Sequence, residues 1–440
     1  MQDQKPKKGK WVKAGKGALV FFAIVFCILA IAYSRTDLGQ ASRNYEKNKA
    51  DAKALGLFFT KDDVNAAYTI PDSQNGASHL TGLAGWDGVE FPSSMVDNSA
   101  TEKEFLRKWT EKTPQYNALK RACAEKAIVG PGEGNSIQLE LFESSLQNDV
   151  FAVWGQDIAK RISIATARNE PELAKDLLAT MASLALHTSD CPDVSYIWRR
   201  CSMSSDIELE LQHIIQTRGK DPKWLSTVEA TLKLLDRPYD FRPMVKLEHY
   251  SAMGAVDVIL GRETIPTEAV SSPRIRFNSY LFARDFDKVK YIPTFMTAGQ
   301  SRIHEICVQA IRGMPADPYD FVGLKEVFKR FDAARSSHEL SYRIAHTYLN
   351  HSNGIVDYAA GDVGGRNALF QAVEMLKTGA DPSKGLPLKG RYAMDADGKP
   401  IRVKHTATGW IVYSVWWDGV DDGGRPFKGS KGDWVVRVPG

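Results

Sequence analysis

Between Leu146 and Ala185 the chain reads LQNDVFAVWGQDIAKRISIATARNEPELAKDLLATMASLA. In its first half Leu146, Val150, Val153, Trp154, Ile158 and Ile162 recur at helical spacing, the single stripe of an amphipathic helix. Asn169-Glu-Pro171 ends that helix and starts another, where Leu173, Leu177, Leu178, Met181, Leu184 and Ala185 repeat the stripe. Two apolar stripes joined by so short a turn predict an antiparallel helical hairpin, and with it a mainly α fold of irregularly stacked hairpins.

Reading outward, Thr101-x-x-Glu104 is a capping box opening a helix through Phe105, Leu106 and Trp109, and Thr113-Pro114 restarts it. Ile207, Leu211 and Ile214 mark a third helix after the hairpin. Asp221 as N-cap and Pro222 open a fourth through Leu225, Val228, Leu232 and Leu235. The starts at Pro171 and Pro222 are too far apart for a strict tetratricopeptide-like period. Further helices are expected over 241–259, 303–311, 322–335, 340–349 and 368–376. From about Lys384 the period becomes strand-like. Pro400–Lys404, Trp410–Trp416 and Asp433–Val438 predict a small antiparallel sheet of order 1-2-3, packed on helix 368–376, with His405–Gly409 as a hairpin loop. The nearly unbroken apolar run Trp410–Tyr413 marks the central strand.

At 440 residues the chain is long enough for two or three units. Its composition, 43% hydrophobic and 25% charged, is that of a globular protein and excludes a disordered or multi-span chain. Six lysines (Lys5, Lys7, Lys8, Lys10, Lys13, Lys16) against Asp3 account for the net charge of +4, so nothing beyond the tail has the basic excess that a nucleic-acid partner needs. Gly17–Tyr33, GALVFFAIVFCILAIAY, is uncharged. At ~1.5 Å per residue it extends ~25 Å, enough for a short transmembrane helix. Lysines before it and Arg35 after it predict a single-pass protein of the inner or plasma membrane, with a cytoplasmic N-terminus and an exported body. A cleaved signal peptide, cut after Ala30-x-Ala32, is the alternative, and export holds for both. The expected division is a basic tail (1–16), a membrane helix (17–34), a stalk and irregular segment (35–100), a helical domain (101–260), a connection with further helices (261–385) and a β module (386–440).

Export makes disulfides chemically accessible, and Cys191–Cys201 closes the shortest loop; separate buried thiols are the alternative. The tail offers a second kind of site. Asp395-Ala-Asp-Gly-Lys-Pro-Ile-Arg402, Gly409-Trp-Ile-Val-Tyr-Ser414, Asp418-Gly-Val-Asp-Asp-Gly-Gly424 and Asp433-Trp-Val-Val-Arg-Val-Pro439 resemble a recurrent C-terminal module of uncharacterised bacterial exported proteins with one N-terminal span and an Ala/Leu-rich helical middle. The same tail is similar to the C-terminal sheet of type II secretion pseudopilins, where a loop binds calcium. By position that resemblance nominates Ser414, Asp418, Asp421, Asp422 and Asp433 as calcium ligands. Trp416-Trp417 departs from the small residues of that pattern. Hard carboxylate oxygens beside glycine-permitted turns suit calcium, although Asp-Gly pairs also build plain turns.

No catalytic residue is nominated. His304-Glu305 does not continue to HExxH, since Val308 stands where the second histidine would. His338, His346 and His351 do not share a face. The glycine-rich stretches 130–136 and 361–367 lack GK[ST], and no GxSxG occurs. Asp206 and Glu208-Leu-Glu210 read as the solvated face of a helix. Trp410, Trp416, Trp417 and Trp434 read as core in preference to a glycan platform. The functional expectation is a membrane-anchored envelope protein that binds a protein partner and is not an enzyme. The alternatives are an exported hydrolase with an unrecognised site and a component associated with secretion or pili.

Overall fold

A computed structural model of the chain describes residues 25–27, 36–68, 70–80, 99–128, 145–187, 194–259, 293–336, 353–428 and 431–440. The apolar run 17–34, apart from three helical residues, lies outside these, as do 130–136, Cys191, 340–349, His338, His346 and His351. Among the described residues no helix is long and apolar enough to cross a membrane.

The hairpin forms as its sequence dictates. Helix α6 (Ser145–Ala167) ends where Asn169 adopts the left-handed conformation (φ 58°), and the Glu170 N–H reaches back to the Ala165 carbonyl at 2.8 Å. Asparagine tolerates that conformation better than most residues. The Asn169 side chain accepts from the Trp224 indole (2.9 Å), and Arg218 donates to the Thr166 and Ala167 carbonyls (3.1 Å each), so neighbouring helices satisfy this end. Helix α7 (Pro171–His187) returns along α6, followed by α8 (Val194–Arg218) and α9 (Pro222–Leu235). At α9 the Asp221 carboxylate accepts from the Lys223 N–H (2.9 Å) with Pro222 in the first turn, as expected.

Upstream lie α1 (Asp37–Arg43), α2 (Tyr45–Ala54), α3 (Lys61–Tyr68), α4 (Ser99–Glu111) and α5 (Thr113–Ala124). The capping box expected at Thr101 is not made, because α4 already runs from Ser99 and the Glu104 carboxylate binds Arg107 (2.7 Å). Nor does α2 stand away as a free stalk. Ala52 and Leu57 are buried, Asn48 donates to Ser301, and Arg302 ties down Asp37 (2.6 Å). Downstream are α10 (Arg242–Ile259), α11 (Pro293–Gly313), α12 (Phe321–Ser336) and α13 (Asn353–Thr378). The antiparallel sheet β1 (Arg402–Thr406), β2 (Gly409–Ser414), β3 (Trp434–Pro439) has the expected order and lies on α13. Thr406 pairs with Gly409, so the hairpin loop is two residues, tighter than expected. It needs a glycine: φ is 138° at Gly409, and a Cβ there would fall 2.2 Å from the Val438 carbonyl.

Among the described residues two large apolar cores result, beside small clusters around Phe58 and Phe105. One joins α5–α9, the C-terminal half of α13 and the sheet. The other joins α2, α10, α11, α12, the start of α8 and the N-terminal half of α13. Helices α8 and α13 therefore run through both cores.

Candidate functional site

Along α8 one face reads Ile197, Cys201, Ser204, Glu208, Leu211 and Ile215. Along α13 the corresponding face reads Ile355, Ala359, Asp362, Arg366, Leu369 and Val373. Both are unbroken stripes at alternating spacings of four and three, and all twelve residues are buried. The two central positions of each stripe are polar, and they meet where the two cores join.

The Asp362 carboxylate accepts from the Tyr239 hydroxyl (2.8 Å) and from the Arg366 guanidinium one turn along its own helix. Arg366 also lies beside Glu208, with Nε 3.6 Å from Oε1, beyond hydrogen-bond reach. Neither Glu208 oxygen has a hydrogen-bond partner, and the residue is 0% exposed. Burial, reinforced by the Asp362 charge, pushes Glu208 well above the usual carboxylate range. Burial opposes the charge on Arg366, but Asp362 and Glu208 more than offset it and raise its pKa. Tyr239 is likewise raised, by burial and then by Asp362. Arg200 lies over the Tyr239 ring at 4.0 Å and donates to the Arg237 carbonyl (2.6 Å).

Glycines let the sheet close over this belt. A Cβ on Gly365 would fall 2.8 Å from Glu208 Oε2 and 3.0 Å from the Trp434 indole nitrogen. One on Gly364 would fall 2.5 Å from Ser414 Oγ, and one on Gly361 2.8 Å from Trp416. The stretch 361–367 is thus the middle of a helix whose backbone other elements approach closely. That is why its low helix propensity does not end α13.

The acids on α8 correct the reading of a solvated face. Leu209 is the exposed residue (49%), while Glu208 is sealed. Glu210 accepts from Ser163 on α6 (2.8 Å), and burial raises its pKa to about 7. The signal that could have found Glu208 is its spacing from Cys201, Leu211 and Ile215, which puts it inside an apolar stripe.

Four of the five calcium candidates have their side chains engaged by the fold itself, and the fifth, Asp422, donates its N–H to Asp433. Ser414 donates to Asp395 and accepts from the Trp416 N–H (3.0 Å). Asp418 caps Val420 (2.9 Å), and Asp421 caps Gly423 (2.9 Å). Asp433 accepts from the N–H groups of Asp422 (3.3 Å) and Gly424 (2.7 Å). The Arg402 guanidinium reaches Asp395 (2.6 Å), Asp397 (2.6 Å) and Asp421 (2.9 Å), supplying positive charge from within the chain. Among the described residues no set of three or more His, Cys, Asp or Glu side chains is placed to hold a metal ion. Of the expected Cys191–Cys201 pair, Cys191 lies outside the described residues, and Cys201 is a buried thiol with its sulfur 3.5 Å from the Tyr239 hydroxyl. Trp434 is buried, and Trp416 packs on it (5.3 Å) and on Phe427 (4.3 Å). Trp417 stacks on Tyr358 at 4.9 Å, and the half-buried Trp410 meets His405 at 4.8 Å.

An open concavity among the described residues lies elsewhere. A cleft of about 740 Å³ sits between the start of α9, the end of α13 and the end of β3. Its apolar walls are Leu225, Met375, Leu376, Trp410, Val438 and Pro439. Glu229 on its rim is held by Lys233 (2.8 Å) and Lys377 (3.0 Å), and hydrogen bonds from both lower its pKa.

No family model matches the chain, and no curated protein or solved structure is significantly similar to it.

Proposed function

We propose that this chain is a single-span envelope protein whose exported body binds a protein partner and performs no bond-breaking chemistry. The observation that carries this reading is the separation of charge from access. Glu208, Asp362 and Arg366 are enclosed where the two cores join, out of reach of any substrate. The open cleft has apolar walls, no histidine or cysteine in its lining, and a carboxylate already held by two lysines. Such a surface gains free energy by covering apolar area and offers no poised general base. The lysine tail and the uncharged run 17–33 support the topology. The likeness of 395–439 to a pseudopilin sheet makes secretion machinery the first partner class to test.

Two measurements on the full chain test the reading. A periplasmic-active phosphatase fused after Gly440 should be active and a cytoplasm-fluorescent reporter dark; the reverse pattern ends the envelope reading. A photo-crosslinking residue at Leu225, against one at the exposed Val322, should give a discrete adduct in intact membranes. Equal crosslinking at both sites would refute the cleft as the contact.

A further inference from the structure

His249 on α10 and His304 on α11 lie side by side with ring centres 5.0 Å apart, and both are 0% exposed. The Phe58 carbonyl sits 2.8 Å from His249 Nδ1. A carbonyl only accepts, so that nitrogen carries the hydrogen and His249 Nε2 presents a lone pair. His304 Nδ1 lies 2.8 Å from that lone pair and must donate to it. His304 Nε2 is then left without a hydrogen-bond partner among the described residues. One backbone carbonyl thus fixes both tautomers, with both rings neutral and one basic nitrogen open to a proton.

The pair lies beneath the N-terminal helices. Phe59 packs on both rings (5.0 and 5.4 Å), and Tyr45 of α2 lies 5.7 Å from His304. The charged groups on the surrounding elements do not welcome a cation. From α2 come Lys49, whose charge opposes protonation of His304, and Lys53, which lies over the Phe59 ring. From α11, Arg302 is bound to Glu305 and to Asp37 of α1. Asp63 of α3 is engaged by the Phe59 and Thr60 N–H groups, and Glu248 of α10 lies toward Cys307. Among the described residues neither imidazole hydrogen-bonds a carboxylate.

We propose that this histidine pair is an acid-sensitive latch for α1, α2 and the 57–60 stretch, closed while both rings are neutral and opened by their protonation. In the closed state a proton can enter at His304 Nε2 alone, and the new N–H has no acceptor there. Opening lets water solvate both imidazolium ions. Burial holds His249 down to about 4 and, with the His249 and Lys49 charges added, His304 to about 3, against 6.5 for an exposed histidine. The folded-state values are depressed, so the latch is complete above pH 6.5 and weakens as pH falls below it. The latch stands whichever way the chain is oriented in a membrane.

Hydrogen exchange of the full chain in detergent, corrected for intrinsic rates, tests it. At about pH 5.5, one unit below the exposed value, each histidine favours the open state about tenfold, and the pair about a hundredfold. Protection over 37–60 should fall by that factor relative to pH 7.5, while 145–187 stays unchanged. His304→Asn keeps a donor near the Nδ1 position and has no ring Nε2, so it should retain only the tenfold response of His249. If that variant does not fold, exchange at the histidine C2 hydrogens of the wild-type chain decides between the outcomes. Titration of both rings near 6.5 with 37–60 still protected would overturn the latch. So would equal protection at the two pH values, or loss over 37–60 and 145–187 together.

Discussion

A single substitution, glycine to alanine, should change sign between two helices of this protein. In an open helix interior alanine is favoured over glycine by about 1 kcal/mol, since glycine loses more backbone freedom on folding. Gly254 in α10 has nothing within 4 Å of a built Cβ, so Gly254→Ala should stabilise the chain by about 0.5–1 kcal/mol. At Gly364 in α13 the new methyl would sit 2.5 Å from Ser414 Oγ and 2.6 Å from Asp395 Oδ1. Those two atoms are bonded to each other, and Asp395 is also fixed by the Val415 N–H and by Arg402. Overpacking costs about 1–3 kcal/mol, and parting a hydrogen bond to a charged group costs about 1.5–3 kcal/mol. Set against the propensity gain of about 1 kcal/mol, Gly364→Ala should destabilise by about 1.5–5 kcal/mol. Urea titration followed by tryptophan fluorescence and circular dichroism, with unchanged slopes, measures both. A Gly364→Ala chain as stable as the wild type would refute the close approach of β2 to α13.

Four further outcomes follow from the same geometry. Glu210 is raised to about 7, so its contribution is full below pH 4.5 and is lost as pH rises through 7. Glu210→Gln should therefore be more stable than wild type by up to about 3 kcal/mol at pH 8 and no more stable at pH 4, read from paired denaturation curves. Arg402 serves three carboxylates, so Arg402→Gln should lower stability by about 2–4 kcal/mol. Millimolar calcium should leave wild-type melting unchanged, and a rise on calcium addition would contradict the turn assignment. Burial raises Cys123 to about 12 and pushes Cys201 and Cys307 higher still, so a thiol reagent should label these three only in denaturant. Labelling of any of them in the native chain, followed by peptide mapping, would contradict their enclosure.

What the sequence determined is local. The Asn169-Glu-Pro171 stop, the Asp221-Pro222 start and the strand order all follow from contacts between near neighbours, so spacing and turn residues suffice to read them. The start of α13 was illegible because three glycines and a polar cluster argue against a helix until the sheet and α8 are packed on it. Only the tertiary structure decided that Glu208 is buried with its pKa raised, and that two histidines far apart in the chain share one lone-pair chain beneath α2. A carboxylate or imidazole looks the same in sequence whether it faces water or a second core. Its charge state depends on groups such as Tyr239 and Asp362, or Phe58 and His249, that only the folded chain brings together.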